Sequence, residues 1–319
     1  MTDVVIGLDT SNYRTSVSAV SLNGEIVLNE RILLPVTEGE RGLRQSEAVF
    51  EHIRQLGNAA ERIRRTERGM KILAVAASAS PCDGEESYMP VFQVGTSFGR
   101  MMAAMAGVPF FATTHQRGHL AAAAYGTELE ECPEMVALHL SGGTTDLLYV
   151  QNGTIRRIGG SLDLHAGQLV DRTGVAIGLS FPSGPELEKL AEHGESRGML
   201  GCSMTDNDLY CHFSGAESKV MRWIAANEIS HCDIAREIFD FLARTVARLL
   251  TAGSRETGVR KALVTGGIAS SHLFRVMLEE RLSHIRYSPE TVFGRPELSG
   301  DNAVGTALIA LQEYRKQKQ

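Results

Sequence analysis

One pattern, written twice, limits what this chain can fold into. Val4 to Leu8 reads as a strand, Asp9-Thr10-Ser11-Asn12-Tyr13-Arg14 as a polar turn and Thr15 to Leu22 as a second strand. Asn23-Gly24 then makes a hairpin turn into a third strand, Glu25 to Leu34. The scheme returns near the middle: Met135 to Leu140, the turn Ser141-Gly142-Gly143-Thr144, Thr145 to Val150, Asn152-Gly153, and a strand through Ile158. Asn-Gly suits the left-handed dihedrals of a two-residue hairpin turn, so each meander is a strong signal. Two in corresponding positions imply two related halves.

After each meander the periodicity changes to helices alternating with short strands. The first half reads as helix from Gly42 to Arg65, strand from Lys71 to Ala79 and helix from Val91 to Ala106, then strand Val108 to Ala112 and helix His115 to Tyr125. The second half has helical spacing over Ala166–Ile177, Pro185–His193, Ser218–Asn227 and Asp233–Thr251. A strand, Lys261–Thr265, then runs into Gly266-Gly267, and a last helix covers Asn302–Lys316. The polar stretch Gly126 to Glu131, ahead of Pro133, marks the boundary. The predicted domains are 1–127 with the C-terminal helix 303–319, and 128–302. The fold class is α/β, with each sheet covered by helices. A meander followed by strand–helix units, twice over, resembles the ribonuclease-H-like pair of the actin/Hsp70/sugar-kinase (ASKHA) superfamily. That resemblance implies a nucleotide cleft between the halves and says little about the reaction.

The turns are where chemistry is expected. Asp9-Thr10-Ser11 and Ser141-Gly142-Gly143-Thr144 offer successive backbone N–H groups and hydroxyls at tight turns, an arrangement that cradles phosphate. Leu263 through Ser271 reads as strand, double glycine and helix start, which adds a helix N-terminus facing a gap without side chains. Each loop singly is an ordinary glycine turn; their order supports binding of a nucleotide.

His115 and His119 are four apart on a helix opened by Thr113 or Thr114 as its N-cap, so both rings share one face and suit one divalent metal. A solvent-facing chance pair is the competing reading. Peptidase chemistry of the HExxH kind is excluded, because Gln116 cannot act as the general base. Asp301 is a candidate third ligand, with an N-cap of the last helix as its alternative. His52, His193 and His284, in polar settings, read as structural or solvated, and so do His139, His165 and His212.

With 319 residues, 43% hydrophobic and 22% charged, the chain has room for two cores of a globular protein. A net charge of −6 provides no general basic field for nucleic acid, so such a partner needs a local patch or a helper subunit. Five cysteines without CxxC spacing fit reduced thiols, and no stretch is long enough to span a membrane. A cytoplasmic location is expected.

These motifs resemble the Kae1/TsaD family, once called glycoproteases, over nearly the full length. The family's H-x-E-G-H stands here as His115-Gln116-Arg117-Gly118-His119, and its V-S-G-G-H-T as Leu140-Ser141-Gly142-Gly143-Thr144-Thr145. G-E-A-F-D-K and Y-P-G-G-P correspond to Gly167 through Arg172 and Phe181 through Pro185. F-S-G-L-K-T corresponds to Phe213 through Ser218, and S-D-N-A to Gly300-Asp301-Asn302-Ala303. The resemblance implies His115, His119 and Asp301 as ligands of one divalent metal, with Fe or Zn ahead of Mg. It implies an adenine nucleotide or acyl-adenylate as ligand, and tRNA and partner subunits as further candidates. Ser141, Gly142, Gly143 and Thr144 would then face the phosphate, and Asp171, Gly184, Gly267 and Ser271 the nucleoside. Asp9 and Ser11 are the candidate catalytic residues. The implied activity is transfer of a carbamoyl or threonylcarbamoyl group from its adenylate.

The departures lie on the acceptor side. Tyr13 and Arg14 stand where the family has acids, Thr144 where it has histidine, Gln168 where it has glutamate and Ser271 where it has the base-reading asparagine. The loop Pro81 through Pro90 carries an acidic run in place of glycines. A divergent transferase is the leading expectation. A non-catalytic nucleotide-binding regulator is one alternative. An ATPase or phosphotransferase, in which Arg14 would suit a phosphate contact, is the other.

Overall fold

The structure is a computed structural model describing residues 2–35, 43–66, 69–84 and 87–318. Two compact units emerge, Met1–Tyr125 with Gly300–Gln319, and Gly126–Ser299. Asp301 thereby falls in the same unit as the two histidines, whereas the boundary read from sequence had put it with the second half.

The first unit is built from β1 (Thr2–Thr10), β2 (Arg14–Ser21), β3 (Ile26–Leu33), α1 (Gln45–Thr66), β4 (Met70–Ser80), α2 (Pro90–Ala106), β5 (Phe110–Thr114) and α3 (His115–Ala124). Its sheet runs β3-β2-β1-β4-β5. The meander strands pair antiparallel, and β1, β4 and β5 are parallel. Side chains alternate across a strand. Ile6 and Leu8 therefore join Leu56 and Ala59 of α1 and Val94 and Ala103 of α2 in one core, while Gly7 points the other way. A Cβ there would collide with the Ala303 carbonyl and lie 2.6 Å from the Ala307 nitrogen. Glycine at position 7 is what lets the chain's last helix lie on this sheet.

The second unit comprises β6 (Glu134–Leu140), β7 (Thr145–Gln151), β8 (Thr154–Ser161), α4 (Ala166–Ala176), α5 (Gly184–Ala191), β9 (Ser203–Met204), β10 (Tyr210–His212), α6 (Ser214–Ala226), α7 (His231–Thr257), β11 (Lys261–Thr265), α8 (His272–Ser283) and β12 (Glu290–Phe293). The helix α9 (Val304–Lys318) closes the chain and belongs to the first unit. The second sheet runs β12-β11-β6-β7-β8-β10-β9. Its core strands repeat the first sheet's plan, an antiparallel meander beside parallel strands. The echo read from the two Asn-Gly turns is thus an echo of topology.

Several limits differ from the sequence expectation. The helix α7 continues to Thr257 and ends where Gly258 takes a φ of 74°. Gly253, just past the expected end, is buried, and a Cβ on it would lie 3.1 Å from Leu147 and 3.2 Å from Val136. The residue lets α7 press on its sheet. The helix α6 begins at Ser214, ahead of the periodic stretch, because Asp163 holds its start from another segment. That carboxylate accepts from the Phe213 N–H (2.8 Å), the Ser214 N–H (3.2 Å) and the Ser214 hydroxyl. The strands β9, β10 and β12 are too short to show a period of their own. The predicted helix start at Gly42 lies outside the described residues.

Burial by itself would raise the Asp163 carboxyl, but these donors hold it down to about 2. A depressed folded value contributes stability above the unfolded pKa, near 4, that is lost as pH falls toward 2. Asp163→Asn is expected to cost about 1–2 kcal/mol at pH 7, a figure discounted for the part-exposed carboxylate. Urea melts of both proteins at pH 7 and pH 3 check this, since the gap must shrink in acid. A gap unchanged between the two pH values would refute the electrostatic origin.

Candidate functional site

In the first unit the carboxyl ends of parallel strands deliver two of the residues singled out above. Asp9 lies at the end of β1, and His115 follows β5 directly as the first residue of α3. Thr114 is the N-cap, its hydroxyl accepting from the Arg117 N–H. His119 comes one turn later on the same face, and Asp301 lies in the turn before α9.

These side chains converge. His115 Nε2 and His119 Nε2 are 3.0 Å apart, and Asp301 Oδ1 is 3.2 Å from His119 Nε2 and 3.8 Å from His115 Nε2. Ligands about 2.0–2.1 Å from one ion, at angles of about 90–110°, lie roughly 2.8–3.4 Å apart. Two of the three separations, 3.0 and 3.2 Å, fall in that range and the third, 3.8 Å, is longer; together the atoms form a set able to hold a metal. Asp301 is no N-cap. Asn302 Oδ1 accepts the Val304 N–H instead, and the Asp301 carboxylate accepts from the Ser11 hydroxyl.

Asp9 has a definite place in this arrangement. It is 1% exposed, and its oxygens lie 2.9 and 3.0 Å from His115 Nδ1. A carboxylate behind a ligating imidazole fixes the ring, so that Nε2 faces the site. Burial disfavours the His115 imidazolium, but the charge and hydrogen bond of Asp9 outweigh it and lift the pKa to about 9. Burial would likewise raise the Asp301 carboxyl, yet the imidazoles and the Ser11 hydroxyl hold it far below the carboxylate range. Asp9→Asn, close in shape, is expected to weaken zinc binding about 10–100-fold, read by competition with a chelating dye. An unchanged affinity would remove Asp9 from this role.

The first loop is braced from below by a residue that the sequence reading had set aside. His52 of α1 is fully buried, with Nε2 donating to the Ser11 carbonyl at 2.8 Å and Nδ1 2.7 Å from the Thr15 hydroxyl. Burial lowers its pKa despite the Ser11 bond and the Asp9 charge. Its signal was positional: Ala48, His52, Leu56 and Ala59 mark one buried stripe. In the acidic loop, Asp83 is bound by Arg117 at 2.8–3.1 Å. Glu85 and Glu86 lie outside the described residues.

The second unit brings its loops together in the same way. The turn Ser141–Thr144 closes with the Ser141 N–H donating to the Thr144 carbonyl (2.8 Å). The start of α4 lies against it: Gly167 N–H donates to the Ser141 carbonyl, and a Cβ on Gly167 would stand 2.6 Å from the Gly142 nitrogen. Gly266, at φ 102°, packs on the Leu140 backbone, so the two loops leave adjacent strands side by side. Gly142, Gly143 and Gly267 differ from these packing glycines, since a Cβ on any of them would meet nothing within 4 Å. Asp171 accepts the Ser183 N–H at 2.9 Å, and burial raises its pKa against the bonds from Ser183 and Gly184. Gly184 opens α5. A 3-10 turn, Ile268–Ser270, follows the double glycine directly, and Ser271 is occupied as the N-cap of α8, its hydroxyl accepting from Phe274 N–H.

Comparison with known proteins agrees with this frame. The family model described as "TsaD: tRNA N6-adenosine threonylcarbamoyltransferase" matches residues 71–308. The tRNA N6-adenosine threonylcarbamoyltransferase of Oenococcus oeni is 26% identical over 330 aligned positions, covering 99% of this chain and 93% of that protein. Among solved structures, HypF of T. kodakarensis superposes with a TM-score of 0.64 at 14% identity, over 99% of this chain and 48% of that one. A ROK hexokinase from Thermus thermophilus gives 0.53 at 16%, over 98% of this chain and 99% of that one. These likenesses show the two-sheet ASKHA fold. With its family match spanning most of its length, this chain belongs to the TsaD family of tRNA N6-adenosine threonylcarbamoyltransferases.

Proposed function

We propose that this protein is a metal-dependent transferase that moves a carbamoyl or threonylcarbamoyl group from its adenylate to an amine, with adenosine N6 in tRNA as the leading acceptor. The observation that carries the reading is the convergence of His115, His119 and Asp301 within 3.8 Å, with Asp9 behind His115. A divalent ion held there supplies Lewis-acid polarisation of the acyl group and neutralises phosphate charge. Asp9 and Ser11 act as positioning residues, one orienting the His115 ring and the other tethering Asp301. In the second unit the open glycines Gly142, Gly143 and Gly267 let ligand oxygens and a nucleoside approach backbone, and the Ser141–Thr144 amides suit phosphate. Asp171 and Gly184 are assigned to the nucleoside. Ser271, whose oxygen already accepts as an N-cap, keeps its O–H donor and one lone pair for a ligand.

The reaction balances as acyl transfer. The amine nitrogen bonds to the carbonyl carbon, the bond from that carbon to the phosphate oxygen breaks, AMP leaves and the amine gives up a proton. Tyr13, exposed, and Arg14 offer no carboxylate to take that proton, an observation favouring a second reading as a nucleotide-binding partner of another transferase. Among the described residues no helix is long and apolar enough to cross a membrane; a cytoplasmic location is part of the proposal.

The deciding experiment incubates zinc- or iron-loaded protein with threonylcarbamoyl-AMP and unmodified tRNA, followed by mass spectrometry of the nucleosides. Modified adenosine together with AMP supports the transferase. Metal and nucleotide bound without turnover, alone or with candidate partner subunits, points to the regulator. ADP formed from ATP would instead indicate a phosphotransferase.

A further inference from the structure

The first loop departs from the family pattern at Arg14, and its surroundings give that change a meaning. The backbone of Arg14 is fixed. Its N–H donates to the Ser11 hydroxyl (3.1 Å), its carbonyl accepts the Ser11 N–H (3.1 Å), and it pairs with Leu33 at the start of β2. The Ser11 hydroxyl is in turn bound to Asp301. From this anchor the side chain reaches the turn that carries the metal-ligand candidate: a Cβ built on Gly300 would lie 3.7 Å from an Arg14 guanidinium nitrogen.

Arg14 is half-buried, yet among the described residues no carboxylate lies within ion-pair distance of it. The acids of the metal-site cluster are engaged elsewhere, Asp9 with His115 and Asp301 with Ser11 and His119. A guanidinium cannot shed its charge, and a part-desolvated one without a partner is unfavourable until an anion arrives. Charge balance points the same way. A divalent ion on neutral imidazoles is offset by Asp9 and Asp301, which leaves the Arg14 charge uncompensated beside it. An acid at position 14 would have made the same spot negative.

We infer that Arg14 forms an oxyanion subsite beside the metal centre, receiving a carboxylate or phosphate of the ligand held there. The inference rests on the metal site proposed above and adds what meets the ligand's charge. The planar fork of N–H donors matches either oxyanion in bidentate fashion. Two parts of an acyl-adenylate carry that chemistry, the phosphate of the nucleotide and the carboxylate of an amino-acid-derived acyl group.

Calorimetric titration of wild type, Arg14→Gln and Arg14→Lys tests it. The anionic probes are AMP and N-carbamoylthreonine, with adenosine and N-carbamoylthreoninamide as neutral counterparts. Zinc is titrated first, and all three proteins are expected to bind it within about threefold of each other. One anion is then expected to bind Arg14→Gln at least about 10-fold more weakly than wild type, the scale of a charge-assisted hydrogen bond. Lysine should restore part of the loss, and the neutral probes should not distinguish the proteins. The anion that loses affinity identifies the source. Equal affinities of wild type and Arg14→Gln for both anions, or no binding of either by wild type, would overturn the subsite. A wild type that takes up no zinc refutes the metal site instead, and the anion titrations on metal-free protein still decide the role of Arg14.

Discussion

Replacing His119 by alanine is expected to lower zinc affinity by at least about 100-fold, since changes behind a ligand already cost about 10–100-fold. The ring is 9% exposed, and its Nε2 stands 3.0 Å from His115 Nε2 and 3.2 Å from Asp301. Without it the remaining donors are one imidazole and one carboxylate. Alanine suits a helix and leaves the Thr114 cap of α3 in place, so the fold should persist. Thermal melts separate the two effects. With zinc at 100 times the wild-type Kd, wild type gains about 2.7 kcal/mol from binding and a 100-fold weaker variant only about 0.4 kcal/mol. In chelator the two proteins should melt within a few degrees. An equal zinc-induced rise in both would show that the histidine pair does not bind the metal.

A second large effect is expected at a residue that touches no ligand. Gly305, in the first turn of α9, faces α3, and a Cβ on it would overlap the Gly118 carbonyl and lie 2.8 Å from the Ala122 nitrogen. Both obstacles are backbone, so neither can rotate away. Gly305→Ala gains about 1 kcal/mol of helix propensity. The clash outweighs this, since forced overpacking costs about 1–3 kcal/mol and more when rigid atoms meet. A net loss of about 2 kcal/mol or more is expected. Because α3 carries His115 and His119 and α9 follows Asp301 closely, separating these helices also separates the ligands, and zinc affinity should fall with stability. Gly215→Ala is the matched control: it lies in α6 with nothing within 4 Å of a built Cβ and should be neutral or mildly stabilising. Were Gly305→Ala as stable as wild type, the close helix approach would lose its place in the account.

The two Asn-Gly meanders and the strand–helix alternation after them are local in origin. Each depends on side-chain period and on dihedral preferences that a residue carries with it, so the meander of each sheet was legible before any coordinates. The histidine pair was legible for the same reason, because four residues make one helical turn. The loops holding Ser141, Gly142, Gly143 and Gly267 were legible as glycine turns. Which glycines serve packing and which face open space was not, since that depends on what approaches from elsewhere in the chain.

What the amino-acid sequence determined by itself was the two meanders with most of the longer elements after them, the candidate metal triad and, through its motifs, the family. Only the tertiary structure decided the partnerships. It put Asp9 behind His115, the Ser11 hydroxyl on Asp301, His52 beneath the first loop and the guanidinium of Arg14 beside Gly300. It also made Asn302 rather than Asp301 the donor's partner at α9, and Asp163 the anchor of α6. The physical reason is common to all of these. Period and turn chemistry act between near neighbours, whereas a hydrogen bond or close approach between distant positions exists only once the sheets and helices have brought them together.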